Sequence, residues 1–243
     1  MIKKIRQSNL DKEYINIHKY SVSPISVNLK NVVVTKPWGY EYLMFANPEM
    51  EIWNLSIKYQ RSTSTHCHPN KKTALVVLSG RALFSTLNES WELMPHDAMV
   101  IDSGTFHSTQ SLSKEGLILL EFETPPMKHD LLRLQDKYGR AMKGYEEETD
   151  RMMKNSNYPR FLNLKNNSQI KNICNNKICI RAVKSRKDLN GLPQKNRTLA
   201  VVLSGLIKSE TNELLYSAPH VLALEELHET GHGFNNVSLM FIR

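Results

Sequence analysis

Hydrophobic residues recur at every second position along several short stretches of the chain. The stretch 53–57 shows this alternation, and the stretch 178–182 repeats it. A period of two is that of a β-strand with one buried face. Helical periodicity is weak, with 128–138 as the one stretch that favours a helix. Together with glycines at turn-like positions, Gly80, Gly104 and Gly205, the pattern predicts an all-β sandwich or barrel.

An internal repeat organises the predicted strands. The segment Thr73–Gly80 recurs as Thr198–Gly205, 125 residues later. Pro95-His96 recurs as Pro219-His220, in the same order along the chain. The apolar runs that follow also correspond, at 117–120 and 237–241. These matches predict two copies of one β-unit.

Composition fits a globular protein with one large or two small domains, since 40% of the 243 residues are hydrophobic. The net charge of +8 is unevenly distributed. Residues 1–150 carry 18 basic and 18 acidic residues, whereas residues 151–243 carry 14 and 6. The basic segment 151–208 is rich in asparagine and lacks zinc-finger, basic-heptad and aromatic-basic signatures. We therefore predict no nucleic-acid partner.

The predicted location is cytoplasmic. No apolar run approaches the roughly 20 residues that span a bilayer, so no membrane partner is predicted. The polar opening of the chain, MIKKIRQS, lacks the apolar core of a signal peptide. Cys67, Cys174 and Cys179 are too few, and odd in number, for a disulfide framework, which is typical of a reducing compartment.

Three histidines are candidate metal ligands. His66 and His68 stand two residues apart, so on a strand both rings project from the same face. His107 follows the turn-like segment 102–106, and a neighbouring antiparallel strand would bring it beside them. Neutral imidazoles bind zinc, iron, copper and nickel. We predict one divalent metal ion at these residues, with zinc, manganese and iron left open.

The spacing of these histidines resembles the cupin signature. Its first motif is His-x-His, four residues, an acid, six residues and Gly, and here His66 and His68 are followed by Thr73 and Gly80 at those intervals. The second motif, Pro-x-Gly-x-x-His, matches 102–107 apart from its proline. Thr73 replaces the acid, and a neutral hydroxyl is a poor substitute for a carboxylate ligand.

The cupin resemblance implies a bicupin, with two double-stranded β-helix (jelly-roll) barrels of which the second is degenerate. The implied domains are an N-terminal arm at 1–30, a metal-binding barrel at 31–145 and the degenerate barrel at 146–243. In the second repeat, Gly191 and Pro193 stand where His66 and His68 would be. That barrel is therefore predicted to be metal-free.

Two further segments resemble type II phosphomannose isomerases and the cupin domain of mannose-1-phosphate guanylyltransferases. Lys36–Glu41, KPWGYE, is similar to the segment that opens this domain, and Asp130–Arg140, DLLRLQDKYGR, to the segment that closes it. The likeness covers about 32–140. It implies a metal-dependent sugar-phosphate isomerase or epimerase in carbohydrate or surface-polysaccharide precursor metabolism, with a small sugar phosphate as substrate.

Such a reaction requires a base that moves a proton between adjacent carbons, and cations that bind phosphate. Glu121 and Glu123 alternate with Phe122 and Thr124, so both carboxylates are candidates to face inward. The predicted catalytic residues are Glu121 and Lys72, and the predicted substrate-binding residues are Arg61, Lys71 and Arg81. Lys71 occupies the place of an arginine in the isomerase pattern.

Two other functions fit the same residues. One is a non-catalytic cupin that binds a sugar or nucleotide-sugar, which the missing acid at Thr73 and the degenerate second barrel allow. The other is an iron dioxygenase with a three-histidine metal centre. The sequence also allows a homodimer formed through edge strands.

Overall fold

The computed structural model describes residues 1–18, 29–143, 145, 152–154, 157–161, 169–190 and 198–243. Strands predominate in the described chain. The helices are α1 (Asn9–His18), α2 (Leu224–Thr230) and a short 3₁₀ helix (Arg186–Leu189). Neither α-helix, nor the 3₁₀ helix, has the length and hydrophobicity that a membrane crossing requires.

The strands of the first repeat form two sheets. They are β1 (Ile2–Ile5), β2 (Val32–Lys36), β3 (Gly39–Ala46), β4 (Glu51–Ile57), β5 (Thr65–Cys67), β6 (Lys72–Ser79), β7 (Ala82–Thr86), β8 (Ser90–Leu93), β9 (Ala98–Ile101), β10 (His107–Ser111), β11 (Leu117–Thr124), β12 (Leu132–Gln135) and β13 (Met152–Lys154). The large sheet has the order β1-β9-β6-β11-β4-β3-β2-β13, and the small sheet has the order β12-β5-β10-β7-β8. Buried residues of both sheets, among them Trp53 and Phe84, form one core between them. The two sheets thus make a jelly-roll barrel.

The second repeat forms a third sheet. Its strands are β14 (Gln169–Ile173), β15 (Asn176–Val183), β16 (Leu199–Lys208), β17 (Leu214–Ser217), β18 (Val221–Ala223) and β19 (Gly233–Ile242). Strand β16 pairs with β18 and β19, and β19 pairs with β15. The neighbours β9-β6-β11-β4 of the large sheet have the same order. The structure therefore confirms the predicted all-β bicupin class, in which the described part of the second repeat retains one sheet.

The repeated Ser-Gly sequence marks an equivalent bulge in both repeats. Gly80 and Gly205 have φ angles of +84° and +77°, in the left-handed region that favours glycine. A Cβ atom at Gly80 would lie 2.4 Å from the Gly116 carbonyl oxygen, and one at Gly205 would lie 2.4 Å from the Asn235 oxygen. Close backbone approach therefore requires glycine at both positions.

The large sheet is the middle layer of three. One face encloses the barrel core with the small sheet, and the other packs against the third sheet through buried residues such as Phe122 and Met240. The Asn176 side-chain amide also donates to the Leu78 carbonyl oxygen at 2.9 Å. Because both faces of the large sheet are covered, Ile52 and Trp53 are both fully buried although they point to opposite sides.

Two details differ from the sequence pattern, and a third falls outside the described residues. The helix favoured at 128–138 is wrong: Leu132 and Arg133 lie in β12, which pairs with β5, so tertiary pairing overrides the local pattern. The predicted arm at 1–30 contributes β1 to the edge of the large sheet, parallel to β9, and α1, which the weak periodicity did not indicate. Gly191 and Pro193 lie outside the described residues.

Gly80→Ala should lower the free energy of unfolding by about 3 kcal/mol, because left-handed backbone strain adds to a clash with the Gly116 oxygen. Gly139→Ala is the matched control. Gly139 has a φ of +76°, but no atom lies within 4 Å of the place that its added methyl group would take. This substitution should lower the free energy of unfolding by about 1 kcal/mol. Urea unfolding monitored by circular dichroism measures both. Equal losses of unfolding free energy in the two variants would show that the clash with the Gly116 oxygen does not contribute to the cost.

Candidate metal centre

The pairing of β5 with β10 brings the three candidate histidines together. His66 lies on β5 directly opposite His107 on β10, and His68 follows the end of β5. All three side chains are buried. Their ring centroids are 4.7 to 5.5 Å apart. One ligand nitrogen from each ring lies within 4.8 Å of the others.

Backbone carbonyl groups fix the orientation of the rings. The Nδ1 atoms of His66 and His107 are 2.8 and 2.9 Å from the carbonyl oxygens of Ser64 and Thr105. The Nδ1 atom of His68 is 2.6 Å from the Asp130 carbonyl oxygen. A carbonyl oxygen only accepts, so each Nδ1 carries the proton and each Nε2 presents a lone pair.

Burial keeps the rings neutral. It lowers the pKa of His107 to about 4 and holds the pKa values of His66 and His68 well below the usual range. The Nε2 atoms of His68 and His107 are buried and have no hydrogen-bond partner within the described chain. Buried polar atoms are normally satisfied, so converging lone pairs without partners suit a divalent metal ion.

Helix α1 supports this wall from behind. The Asp11 carboxylate accepts hydrogen bonds from the backbone of Ser8, at the start of the helix, and of Phe106, at 2.7 and 2.9 Å. The Tyr14 ring meets Phe106 edge to face at 6.2 Å between centroids. Because Phe106 precedes His107, these contacts help to fix the position of the third histidine.

The opposite wall of the cavity carries buried carboxylates on the large sheet. Glu121 and Glu123 lie on β11, and Glu41 lies on β3. The Glu121 Oε1 atom is 3.9 Å from the Nε2 atom of His68. The Lys128 ammonium group is 3.2 to 3.6 Å from all three carboxylates and 4.0 Å from the centre of the Trp53 ring.

The two β11 carboxylates have different electrostatic environments. Burial raises the pKa of Glu121 to about 7. Burial also disfavours the charge of Glu123, but the ammonium groups of Lys128 and Lys71 lower its pKa to about 2. The Lys71 Nζ atom lies 2.9 Å from Glu123 Oε1. The pKa values of Glu121 and Glu123 are therefore shifted in opposite directions, although both residues lie on β11.

The four predicted cationic residues differ in how deeply they are buried. Lys71 is 1% exposed and contacts Glu123. Lys72, the next residue, has a side chain that is 54% exposed and lies 3.9 Å from Asp102. Arg81 is also exposed, 3.5 Å from Glu92, and Arg61 is exposed. None of these four residues, Lys71, Lys72, Arg61 and Arg81, is among the described residues that line the cavity.

Several residues that line the cavity were not among the predicted site residues. They are Lys36, Glu41, Lys128, Arg133, Arg140 and Tyr145. Four of them lie in the segments KPWGYE and DLLRLQDKYGR, whose resemblance to the isomerases was the available signal. Lys128 and Tyr145 lie outside those segments, and no local pattern marks them.

Lys71→Met should lower the free energy of unfolding by about 3–5 kcal/mol, because it removes the nearest buried partner of the Glu123 carboxylate. The double variant with Glu123→Met should lose less, since no orphaned carboxylate remains. Lys72→Met is the exposed control and should change stability by about 0.5 kcal/mol or less. Chemical unfolding of the four proteins tests this, and a double variant no more stable than Lys71→Met would contradict it.

Comparison with known proteins gives only distant matches. No protein-family model matches the chain, and no curated protein does. A double-stranded β-helix protein of Klebsiella pneumoniae is 16% identical, with 54% of this chain and 100% of that one covered and a TM-score of 0.37. KdgF of Halomonas sp. is 15% identical, with 44% and 89% covered and a TM-score of 0.33. A protein of Acidithiobacillus ferrooxidans provisionally named a sugar phosphate isomerase is 24% identical, with 31% and 50% covered and a TM-score of 0.30, so this chain spans half of its length.

Proposed function

We propose that the protein is a metal-dependent isomerase or epimerase that acts on a phosphorylated sugar. The observation that carries the proposal is the Glu121 carboxylate, 3.9 Å from the Nε2 atom of His68 in the same buried cavity. A candidate metal site and a candidate base thus share one small space. Proton transfer next to a carbonyl group requires these two elements.

His66, His68 and His107 would hold the metal ion, which when bound supplies Lewis-acid polarisation of a carbonyl oxygen. Glu121 would take the proton from the carbon beside that carbonyl and return it to the neighbouring carbon. Burial raises the pKa of Glu121 above its usual range, which makes the carboxylate a better proton acceptor.

Cations in the cavity wall support an anionic substrate. Lys36, Lys128, Arg133 and Arg140 line the cavity. Lys128 and Lys36 balance the carboxylates, at 3.2 to 3.6 Å and 3.4 Å. Arg133 lies beside His66 in the strand register. The predicted substrate-binding roles of Arg61, Lys71 and Arg81 and the predicted catalytic role of Lys72 stay predictions. The cytoplasmic location and the homodimer stay predictions too.

One observation favours an iron dioxygenase as the second candidate. Thr73 lies buried on β6, and its Oγ1 atom has no hydrogen-bond partner within the described chain. The histidine set therefore has no carboxylate from that position, and a centre of three neutral imidazoles retains open coordination positions. Bound iron, together with oxygen consumption, would support this candidate, whereas a colourless protein with zinc or manganese would argue against it.

His66→Ala with His68→Ala should remove the bound metal, because two of the three imidazole ligands are lost. Elemental analysis of the purified protein measures the metal, and circular dichroism checks that the barrel is folded. His232→Ala is the control, since His232 is exposed and lies in the second repeat. Unchanged metal content in the double variant would refute the assignment of these ligands.

Glu121→Gln should slow substrate-dependent exchange of the sugar C2 hydrogen with deuterated water by roughly 100- to 10,000-fold, because the amide cannot accept the proton. Proton NMR of a panel of phosphorylated aldoses and ketoses measures the exchange. Metal content should stay unchanged, and Glu92→Gln, at a largely exposed carboxylate, should retain full activity. A native protein that holds metal but exchanges no hydrogen with any panel member would favour the non-catalytic sugar-binding function.

A further inference from the structure

The loop that precedes His107 is bonded to the N-terminal arm at every second residue. This loop, 102–106, leads into β10, of which His107 is the first residue. The described part of the arm, 1–18, contributes β1 and α1. Three hydrogen bonds join the two segments: from the Asp102 N–H to the Ile5 oxygen at 2.9 Å, from the Gln7 amide to the Gly104 oxygen at 3.4 Å, and from the Phe106 N–H to the Asp11 carboxylate at 2.9 Å. The arm therefore fixes the path of the chain into the third histidine.

A single peptide group connects Asp11 to the ring of His107. Its N–H belongs to Phe106 and donates to Asp11 Oδ1 at 2.9 Å. Its C=O belongs to Thr105 and accepts from His107 Nδ1 at 2.9 Å. This peptide bond is trans, so the N–H and the C=O point in opposite directions in one plane. The carboxylate at one end therefore sets the direction of the carbonyl group that orients the ring at the other end.

The same arrangement strengthens His107 as a ligand. A charged acceptor polarises the peptide group, and hydrogen bonds in such a chain strengthen one another. The Thr105 oxygen becomes a better acceptor, so the Nδ1–H bond of His107 becomes more polar and its Nε2 atom more electron-rich. Asp11 is only 3% exposed, so salt in the solvent screens its charge little. The orientation and the electron density of the ring therefore both depend on this carboxylate.

Helix α1 packs on residues that alternate with the candidate ligands. Cys67, between the first two histidines, and Phe106, before the third, are fully buried and form one cluster with Leu132. Tyr14 and Ile15 of the helix pack against this cluster. Because side chains alternate along a strand, the helix covers the side of this wall that faces away from the cavity.

Helix capping alone does not explain the placement of Asp11. Its Oδ2 atom accepts from the Ser8 N–H and hydroxyl, each at 2.7 Å, and closes a capping box. The second repeat contains the same Ser-x-x-Asp box at Ser185 and Asp188. Asp188 is exposed, and within the described chain its carboxylate accepts only from residues 184 and 185. Asp11 is instead buried, and its second oxygen reaches Phe106, 95 residues away.

We propose that Asp11 is a positioning residue of the candidate metal centre, which orients and polarises His107 through the Thr105–Phe106 peptide group. The N-terminal arm is then part of the metal centre as well as the edge of the large sheet. This inference rests on the proposed function only for a metal ion at the three histidines. It requires neither a sugar nor turnover.

Asp11→Asn tests the inference, because an amide has one oxygen and no charge. That oxygen can accept from Ser8 or from Phe106, but the side chain no longer has a separate oxygen for each. In the metal-free protein, the His107 Nδ1–H resonance should move to higher field, because its hydrogen bond weakens, and proton NMR measures this. The dissociation constant for Co²⁺, measured by visible absorption in competition with a chelator, should rise about tenfold or more.

Asp188→Asn is the matched control, since it makes the same substitution in the capping box of the second repeat. It should leave the Co²⁺ dissociation constant and the His107 resonance unchanged. Ser8→Ala separates capping from positioning, because it removes the bond of the Ser8 hydroxyl and keeps the bond from Phe106 to Asp11. It should lower the midpoint of urea unfolding and leave Co²⁺ affinity unchanged.

Tyr14→Leu is the second variant, should Asp11→Asn fold poorly. It removes the ring contact with Phe106 and should weaken Co²⁺ binding about threefold. Native Co²⁺ affinity in the folded variant, an equal loss in Asp188→Asn, or a native protein that binds no Co²⁺ would each overturn the inference. A native protein that binds Co²⁺, with the loss in Asp11→Asn intact, but exchanges no hydrogen with any phosphorylated sugar would overturn the proposed function only.

Discussion

The candidate site depends on how three imidazole rings are turned, and backbone carbonyl groups set that orientation. Two of the carbonyls, of Ser64 and Thr105, lie two residues before the histidine that they bind, so the local chain itself turns the rings of His66 and His107. The third comes from Asp130, far along the chain, and orients His68. A ring flipped at any of these positions would present a C–H group to the cavity instead of the Nε2 lone pair, and the ligand set would be lost.

The opposite wall of the cavity, on the large sheet, is constrained by the cost of burying charge. Isolated buried carboxylates are strongly disfavoured, so each is paired with a lysine. Lys71 and Lys128 lie 2.9 and 3.2 Å from Glu123, whereas Lys128 lies 3.6 Å from Glu121. The two carboxylates lie on one strand, but they share these cations unequally. The pKa of Glu121 is therefore raised, whereas the pKa of Glu123 is lowered.

The sequence predicts those parts of the site that local spacing determines. The strand period places His66 and His68 on one face, and the repeat predicts two copies of one β-unit. Local spacing does not tell which of Lys71 and Lys72 turns inward, because a shift of one residue reverses the face of a strand. The position of Lys128 in the cavity is harder to predict, because Lys128 lies on the connection between β11 and β12. That connection carries a helix-like pattern, yet Leu132 is drawn into pairing with β5.

The second repeat is best understood through the sheet that it covers. The β11 residues that alternate with the two site carboxylates, Leu120 and Phe122, point to the third sheet and are fully buried against it. Without that cover, β11 would expose a broad apolar face, and burial of such side chains stabilises a protein by roughly 1.5–3 kcal/mol each. The site carboxylates are held on a strand whose position is fixed from its far side. A repeat can therefore lose the residues that correspond to the histidines and still support the candidate metal site, because its sheet contributes packing and not ligands.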